Sequence, residues 1–398
     1  MQKNDGLLPM KKTLKVGLIG YGMIGKVHAF GYAALPFYDA PFSFRPQITR
    51  VVTSRLETAQ AAREALGCAF ASTDYRDVTE DPEIDVVDIA APNDLHRAVL
   101  LSAIRAGKHI YCDKPLCVTL AEAQEIESAL QTIDAQGNPL SKKTSQMTFH
   151  MRFYPAIRRA KQLLDEGRLG RIFQYRIAYL HASNARADAP FKWKQGASGG
   201  VILDLAAHLF DLIDALIGLP DELLAQTQTA FSTRRDANNA DQAHTELSED
   251  AVSILTRTAS AQGEFTGVIE ATKLATGEED QMRLELHGEK GAIRFSLMEP
   301  HYLEFFDATR KDRPYGGTSG WTRIAVGNRR ERPETDFPST KATSGWIQGH
   351  VACLSHFLRS IEAGEPGNPN LLQGVRIQKA LDAAARSAKN RTWVSLKW

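Results

Sequence analysis

The sequence predicts an α/β domain with a doubly wound parallel sheet, followed by an α+β domain whose sheet is large, open and mostly antiparallel. Short apolar segments alternate with helical patterns up to about residue 150, which is typical of a doubly wound sheet. Among them, IDVVDIA at 84–90 is almost continuously apolar, as strands buried on both faces are. Beyond residue 150, long segments alternate apolar and polar residues instead. With 398 residues available, we place the two domains at 10–150 and 151–398.

The first domain follows a regular strand–helix order. We expect strands and helices to alternate over 14–19, 23–35, 48–53, 57–67, 84–90, 94–107, 108–115, 120–130 and 145–150. Thr119 and Glu122 have the spacing of a capping box at the start of the helix over 120–130. Residues 36–47 are rich in proline and aromatic residues and predict a loop.

The second domain begins with a helix over 156–167 and continues mainly as strands. The predicted strands cover 171–182, 223–231, 250–259 and 263–273, and 281–297 predicts a hairpin. Residues 307–345 are polar and rich in Gly, Pro and Arg, so we expect a long surface excursion there. Two helices, over 349–362 and 370–388, and a short strand at 392–396 complete the chain.

Composition excludes several classes of protein. Lys and Arg total 48 against 47 for Asp and Glu, so we expect neither nucleic acid nor a membrane as partner. Four scattered cysteines, without metal-ligand spacing, indicate reduced thiols and no metal site: Cys68, Cys112, Cys117 and Cys353. The N-terminal residues 1–12 resemble a polar extension and lack the apolar core of a signal peptide. We therefore expect a cytoplasmic protein.

The segment GYGMIG, from Gly20 to Gly25, predicts a dinucleotide site because it follows a strand and opens a helix. Gly20 permits the tight turn, Gly22 lets the backbone approach a pyrophosphate, and Gly25 lets helix and strand pack closely. Met23 and Ile24 then lie at the helix N-terminus, whose positive potential favours the phosphates. The first domain is thus predicted to be a Rossmann domain that binds NAD or NADP.

The end of the second strand bears on the choice between these cofactors. An NAD site usually has an acidic residue there, to hold the ribose 2′-hydroxyl. This chain has Ser54 and Arg55, and no acid before Glu57. A hydroxyl beside a guanidinium suits a 2′-phosphate, so the sequence favours NADP. Arg55 stacked on the adenine is the alternative, and it is compatible with NAD.

A polar stripe interrupts the apolar segment GGVILDLAAHLFDLIDAL at 199–216. Asp204, His208 and Asp211 have the spacing i, i+4 and i+7, which places them on one face of a regular helix. Burying such groups is costly unless they are paired or have a function. The stripe is therefore either a satisfied buried pair or part of an active site.

Four motifs resemble the glucose-fructose oxidoreductase / inositol dehydrogenase (Gfo/Idh/MocA) family: GYGMIG at 20–25, APNDLH at 91–96, CDKPL at 112–116 and GGVILDLAAH at 199–208. The resemblance covers nearly the whole chain from about Lys12. It implies a Rossmann domain, then a domain whose open sheet mediates assembly, so we expect a homodimer or homotetramer.

The resemblance also assigns roles to particular residues. Lys114 and His208 would flank the substrate carbon that faces the nicotinamide, with Asp204 assisting, and His208 would act as the general base. Asp113 stands where the family has Glu. Residues that would lie along the cofactor are Pro92, Asn93, His96, Asp113 and Lys114.

The family resemblance implies a sugar, polyol or glycoside as substrate. Candidate contacts are Arg152, His181, Trp193 and Lys194, since Trp offers a flat apolar face and Arg and Lys donate hydrogen bonds. Trp193 as a packing residue and His181 as a loop residue are the competing interpretations. His150 stands where the family more often has Asn.

Three other functions occur, or are conceivable, on the same scaffold. An NADPH-dependent keto-sugar or dihydrodiol-type reductase would run the reaction in the opposite direction. A glycosidase would use bound NAD for a transient oxidation. A non-catalytic dinucleotide sensor would have no need of Lys114, Asp204 and His208 together.

Overall fold

The computed structural model describes residues 12–38, 41–132, 142–236, 242–260, 263–330 and 337–396. The predicted polar extension, apart from Lys12, lies outside these residues. Among the described residues, no helix combines the length and the apolar character that crossing a bilayer requires.

The first sheet has six parallel strands, in the order β3-β2-β1-β4-β5-β6. This order defines a doubly wound sheet and confirms the predicted fold class. The strands are β1 (Lys12–Ile19), β2 (Phe44–Val52), β3 (Phe70–Ser72), β4 (Val86–Ile89), β5 (His109–Cys112) and β6 (Ser145–Met147). All four residues of β4, at the centre, are buried, as its apolar sequence predicts.

Five helices accompany this sheet: α1 (Met23–Tyr38), α2 (Leu56–Leu66), α3 (Arg76–Thr79), α4 (Asn93–Arg105) and α5 (Leu120–Gln131). The capping box predicted at Thr119 and Glu122 is confirmed, with both reciprocal hydrogen bonds formed.

The predicted loop over 36–47 is wrong at both of its ends. Helix α1 continues to Tyr38 with Pro36 inside it, because Leu35 and Tyr38 are buried in the apolar core that α1 shares with a C-terminal helix. Strand β2 already begins at Phe44, where it pairs with Lys12 of β1. In both places tertiary contacts outweigh the local preference of proline.

The second sheet has nine strands and is mostly antiparallel, as predicted; its order is β16-β15-β14-β13-β7-β12-β11-β8-β17. Strands β7 and β12 pair in parallel. The strands are β7 (Ile172–Leu180), β8 (Glu222–Gln228), β11 (Ala251–Ser260), β12 (Gly263–Thr272), β13 (Gln281–Gly288), β14 (Gly291–Ser296), β15 (Tyr302–Asp307), β16 (Trp321–Ala325) and β17 (Val394–Ser395). A separate pair consists of β9 (Arg234–Arg235) and β10 (Ala243–His244).

The predicted hairpin over 281–297 is confirmed, since β13 and β14 pair with Leu284 opposite Phe295. The surface excursion over 307–345 is only partly correct. It contains β16, which extends the sheet by pairing with β15. Strand β16 could not be predicted because it is an edge strand whose residues are mainly exposed, so its sequence shows no buried face.

The remaining helices are α6 (Pro155–Asp165), α7 (Ala207–Ile217), α8 (Trp346–Ala363) and α9 (Leu371–Asn390). A single π-helical turn, Ile202–Ala206, leads directly into α7. Helix α8 returns to the first domain, where Leu354 packs over Gly31 of α1 and Phe357 stacks on Tyr111 of β5. Helix α8, although it belongs to the C-terminal part of the chain, therefore helps to complete the core of the first domain.

Candidate active site

The loop from Gly20 to Gly25 has the shape that a dinucleotide needs. Gly20 has a φ of 96°, and a Cβ there would meet the carbonyl oxygen of Ala90 at 2.3 Å. A Cβ on Gly25 would meet the carbonyl oxygen of Gly20 at 2.1 Å. A Cβ on Gly22, in contrast, would meet no described atom within 4 Å, so the space beside it is free for a pyrophosphate. Helix α1 begins next to that space at Met23 and Ile24, without an acidic residue in its first turn.

Ser54 and Arg55 lie at the carboxyl end of β2 and are exposed. Arg55 is the N-cap residue of α2, and its carbonyl oxygen accepts hydrogen bonds from Thr53 and Thr58 at 3.0 and 2.8 Å. These bonds hold the backbone while the guanidinium remains at the surface. The placement is compatible with either cofactor.

The residues predicted to line the cofactor mainly form hydrogen bonds to neighbouring loops of the protein. Asn93, just after Pro92, donates to the carbonyl oxygen of Ser198 in the second domain at 2.9 Å. The two ring nitrogens of His96 each lie 2.9 Å from a carbonyl oxygen, of Ala91 and Pro115. Asp113 accepts a hydrogen bond from Thr148 at 2.6 Å. These contacts fix the loops at the ends of β4 and β5, and direct contact with the cofactor stays a prediction.

Three lysines surround the carboxylate of Asp204. Lys114, which follows β5, lies 3.0 Å from Oδ1 and also donates to the carbonyl oxygen of Asp204 at 2.8 Å. Lys194 approaches Oδ1 to 2.6 Å, and Lys273 approaches Oδ2 to 2.8 Å. The structure thus brings the predicted Lys114, Asp204 and Lys194 together and adds Lys273.

The π-helical turn and the residues packed against it set the position of Asp204. It lies in the π-helical turn, and π turns occur often at functional sites. The carboxylate of Glu249 accepts a hydrogen bond from the N–H of Ile202 at the start of this turn, at 2.9 Å. Gly200 precedes it with a φ of 93°, and a Cβ there would collide with Glu249. The two glycines of GGVILD therefore allow the loop and the turn to pack closely.

The charges in this cluster influence one another. Burial would raise the pKa of Asp204, but the three ammonium groups outweigh it and hold that pKa well below its usual value. Burial lowers the pKa of Lys114, and the Asp204 carboxylate opposes this shift only in part. Asp204 is therefore ionised, and Lys114 gives up a proton more readily than an ordinary lysine does.

His208 lies one turn after Asp204 and is 4% exposed. Its ring packs edge-on against Phe149, His150 and Tyr179, with centroids 6.1, 5.3 and 5.9 Å away. Burial, followed by the charge of Lys114, holds the pKa of His208 well below 6.5, so the imidazole is neutral. The neighbouring Asp204 does not stabilise the imidazolium enough to reverse this shift. Among the described residues Nδ1 of His208 is buried and has no hydrogen-bond partner.

Asp211, the third residue of the stripe, has a different partner. Its carboxylate binds Arg152, with Nη2–Oδ1 and Nε–Oδ2 distances of 2.6 and 2.7 Å. Burial raises the pKa of Asp211 to about 6 despite the adjacent guanidinium. The predicted single stripe is thus divided among three environments, because the π turn and the neighbouring elements give each residue its own contacts. The pairing favours a structural role for Arg152, whose substrate contact stays a prediction.

The other predicted substrate contacts lie on the segment after β7. His181 is partly exposed and lies 3.2 Å from Asp280 through Nε2. Trp193 is 46% exposed. Lys194 lies within the same short 3₁₀ turn, Trp193–Gln195. This placement is compatible with substrate contact but does not establish it.

Sequence reasoning missed Lys273, Asp280 and Arg234. Lys273 and Asp280 stand at strand ends of the second domain, and no motif marks them. Arg234 is almost completely buried, and its guanidinium donates to the carbonyl oxygens of Asn184 and Arg186 at 2.7 and 2.8 Å. It therefore supports the segment that leads to Trp193. An arginine pair at 234–235 gives no signal of such burial.

Within the described part of the chain, no group of three or more His, Cys, Asp or Glu side chains is arranged to hold a metal ion. All four cysteines are free thiols.

A Gly-rich strand–helix turn, with Lys114 after the carboxyl end of β5 and His208 on α7 of the second domain, is typical of a nucleotide-dependent oxidoreductase. Comparison with known proteins specifies the class. Residues 14–140 match the oxidoreductase family with an NAD-binding Rossmann fold, Gfo/Idh/MocA. Residues 157–294 match the C-terminal domain of the same family. The chain belongs to this family, and it is an NAD(P)-dependent enzyme that acts on CH–OH groups.

Individual relatives are similar over nearly their whole length. Levoglucosan dehydrogenase of Pseudarthrobacter phenanthrenivorans is 29% identical, covering 97% of this chain and 98% of the relative. Inositol 2-dehydrogenase of Rhizobium meliloti is 28% identical, covering 96% and 99%. The solved structure of levoglucosan dehydrogenase with NADH and levoglucosan has a TM-score of 0.87 at 28% identity, covering 97% of this chain and 100% of that one.

Proposed function

We propose that this enzyme transfers a hydride between a nicotinamide dinucleotide and a carbinol, or the corresponding ketone, of a sugar, polyol or glycoside. The observation that carries the proposal is the convergence of Lys114, Asp204 and His208 beyond the carboxyl end of β5, where Lys114 pairs with Asp204 and its charge acts on the His208 imidazole. The similarity to levoglucosan and inositol dehydrogenases supports the substrate class.

Each residue of this group has a distinct task. When bound, the oxidised dinucleotide supplies the hydride acceptor. Nε2 of the neutral His208 takes the proton of the substrate hydroxyl as the C–H hydride departs. The ammonium of Lys114 donates to the same oxygen and stabilises the negative charge that develops on it. Asp204 holds Lys114 in place through its carboxylate and its carbonyl oxygen.

Two features bear on the cofactor. The exposed Ser54 and Arg55 at the end of β2 favour NADP, since both can donate to a 2′-phosphate. The similar levoglucosan dehydrogenase structure contains NADH, which favours NAD. We retain NADP as the preferred cofactor, with NAD as the alternative.

The test is a panel of neutral sugars, polyols, glycosides and sugar acids, offered with NAD⁺ and with NADP⁺, with reduced nicotinamide measured by absorbance. We expect turnover by the wild type and none by His208→Asn, while calorimetry shows unchanged dinucleotide binding. His356→Gln is the matched control, because His356 is also largely buried but bonds Gln146 away from the site. Full activity in His208→Asn would refute the assignment of the base.

Offering keto-sugars with NADPH, and measuring glycoside cleavage in the same panel, separates the other functions. Reduction of keto-sugars with NADPH, without the reverse oxidation, would indicate a reductase. Cleavage of a glycoside with tightly bound NAD, and no net NADH, would indicate a glycosidase. Dinucleotide binding with no turnover would indicate a sensor.

A further inference from the structure

Three neighbouring strands of the second sheet end side by side. Leu180, the last residue of β7, pairs with Thr272 of β12 on one side and with Gln281 of β13 on the other. His181, Lys273 and Asp280 directly adjoin these three residues in the chain. Since neighbouring strands lie about 4.8 Å apart, the backbones of Lys273 and Asp280 are separated by about 10 Å, with His181 between them.

This end of the sheet faces the catalytic residues. Lys273 reaches Asp204 at 2.8 Å, and the ring of Tyr179 in β7 packs edge-on to His208 at a centroid distance of 5.9 Å. The strand ends therefore form one wall beside the proposed catalytic residues.

Asp280 is fixed on this wall. The hydroxyl of Tyr179 donates to Oδ1 at 2.7 Å, and Nε2 of His181 lies 3.2 Å from the same oxygen. Among the described residues Oδ2 has no partner, and the side chain is 39% exposed. Burial would raise the pKa of Asp280, but the contacts with His181 and Tyr179 outweigh it and lower that pKa. Asp280 thus presents a charged, oriented hydrogen-bond acceptor with one open oxygen.

We propose that Asp280 is a substrate-binding residue whose Oδ2 accepts a hydrogen bond from a hydroxyl remote from the carbon being oxidised. This inference rests on the proposed function and narrows its substrate class. A carboxylate at that position favours neutral polyhydroxylated molecules and repels sugar acids and sugar phosphates. Asp204 neutralises only part of the charge on Lys114, Lys194 and Lys273, so the repulsion is local and acts on an acidic group placed against Asp280.

The test compares wild type with Asp280→Asn, which keeps the size of the side chain and removes its charge. The substrates are levoglucosan, myo-inositol and D-glucose, with D-glucuronate and D-glucose 6-phosphate as anionic counterparts. We expect KM for the best neutral substrate to rise about 10- to 100-fold, with kcat changed by less than about threefold. The ratio of kcat/KM between neutral and anionic substrates should fall as well.

Asp307→Asn is the matched control. Asp307 ends β15 at the end of the sheet opposite to Asp280, where it pairs with Gly291, and it lies 3.1 Å from Arg168. It should leave KM and selectivity unchanged. Dinucleotide binding, measured separately by calorimetry, should be the same in all three proteins.

Each outcome decides something. A wild type that prefers an anionic substrate, with a kcat/KM that Asp280→Asn leaves unchanged, overturns the inference and leaves the proposed function standing. An unchanged KM in Asp280→Asn, or a loss confined to kcat, also overturns it. A wild type that oxidises no member of the panel refutes the proposed function first, and the inference with it. A raised KM together with lost selectivity supports both.

Discussion

The ammonium of Lys114 donates to both the carbonyl oxygen and the carboxylate of Asp204, at 2.8 and 3.0 Å. Lys114 follows strand β5 of the first sheet, and Asp204 lies in the π-helical turn Ile202–Ala206 of the second domain. One side chain thus joins the two domains at the proposed site of reaction.

Replacing Lys114 by Met should lower kcat about 10²- to 10³-fold, because the developing alkoxide loses its donor. Dinucleotide affinity, measured by calorimetry, should change much less than kcat. Lys108→Met is the control, since Lys108 is also buried and donates to the carbonyl oxygen of Ile84 at 2.7 Å, remote from the site. It should lower stability and leave kcat alone. Equal kcat in Lys114→Met would contradict the role.

The activity should persist in mildly acidic solution. His208 acts as a base only when it is unprotonated, and its pKa lies well below 6.5 because of burial and the nearby Lys114. The profile of kcat/KM against pH should therefore stay level from pH 8 through 6.5 and fall only well below that value. An inflection of this profile close to pH 6.5 would contradict the prediction, because it would mean that burial does not lower the pKa of the base.

Arg152→Met should act on stability more than on substrate binding. It leaves Asp211 buried without its ion-pair partner, which we expect to lower the free energy of unfolding by about 3–5 kcal/mol. Chemical denaturation measures this change. The double variant Arg152→Met/Asp211→Leu should recover much of the loss, since the ion pair is then removed as a whole and Asp214, 4.0 Å from Arg152, keeps Arg376 as its partner. A large rise in KM with unchanged stability would instead support the predicted contact of Arg152 with substrate.

The cofactor preference should depend on Arg55. If a 2′-phosphate is bound there, Arg55→Ala weakens NADP(H) binding about 10-fold or more and leaves NAD(H) binding almost unchanged. Calorimetry with both cofactors measures the difference. Arg63→Ala, farther along α2, is the control and should affect neither. Tight NAD(H) binding that is indifferent to Arg55 would show that the NADP assignment is wrong.

Stability should decrease as the pH falls from 6.5 toward 4. Burial lowers the pKa of His109 and of His356 to about 4 each, so the unfolded chain takes up protons at these sites before the folded protein does. Each then contributes a loss of up to about 1.4 kcal/mol per pH unit over that window. Carboxylates titrate in the same range, so the comparison is with His109→Gln and His356→Gln. Their unfolding free energies should vary less steeply with pH; an identical slope would contradict the predicted shift.

Much of the fold and part of the site could be read from local signals. Gly20 and Gly25 predict the dinucleotide turn because a Cβ on either would collide with the backbone. Gly22 predicts it because a Cβ there would occupy the open space that a pyrophosphate needs. Alternation along β13 and β14 predicts their pairing. Helix α1 past Pro36 and the edge strand β16 could not be predicted, because both depend on partners far away in the chain.

The sequence by itself determined the two-domain architecture and the nucleotide turn, since these follow from periodicity and motif spacing, and its resemblance to the family singled out Lys114, Asp204 and His208. Only the tertiary structure decided how the polar stripe is used. Asp204 faces three lysines, His208 lies among aromatic rings, and Asp211 binds Arg152. The tertiary structure also places Lys273 and Asp280 at the same end of the second sheet, beside the proposed catalytic residues. These relationships join residues from strands and helices that are distant in sequence, so burial and charge fix them only once the chain has folded.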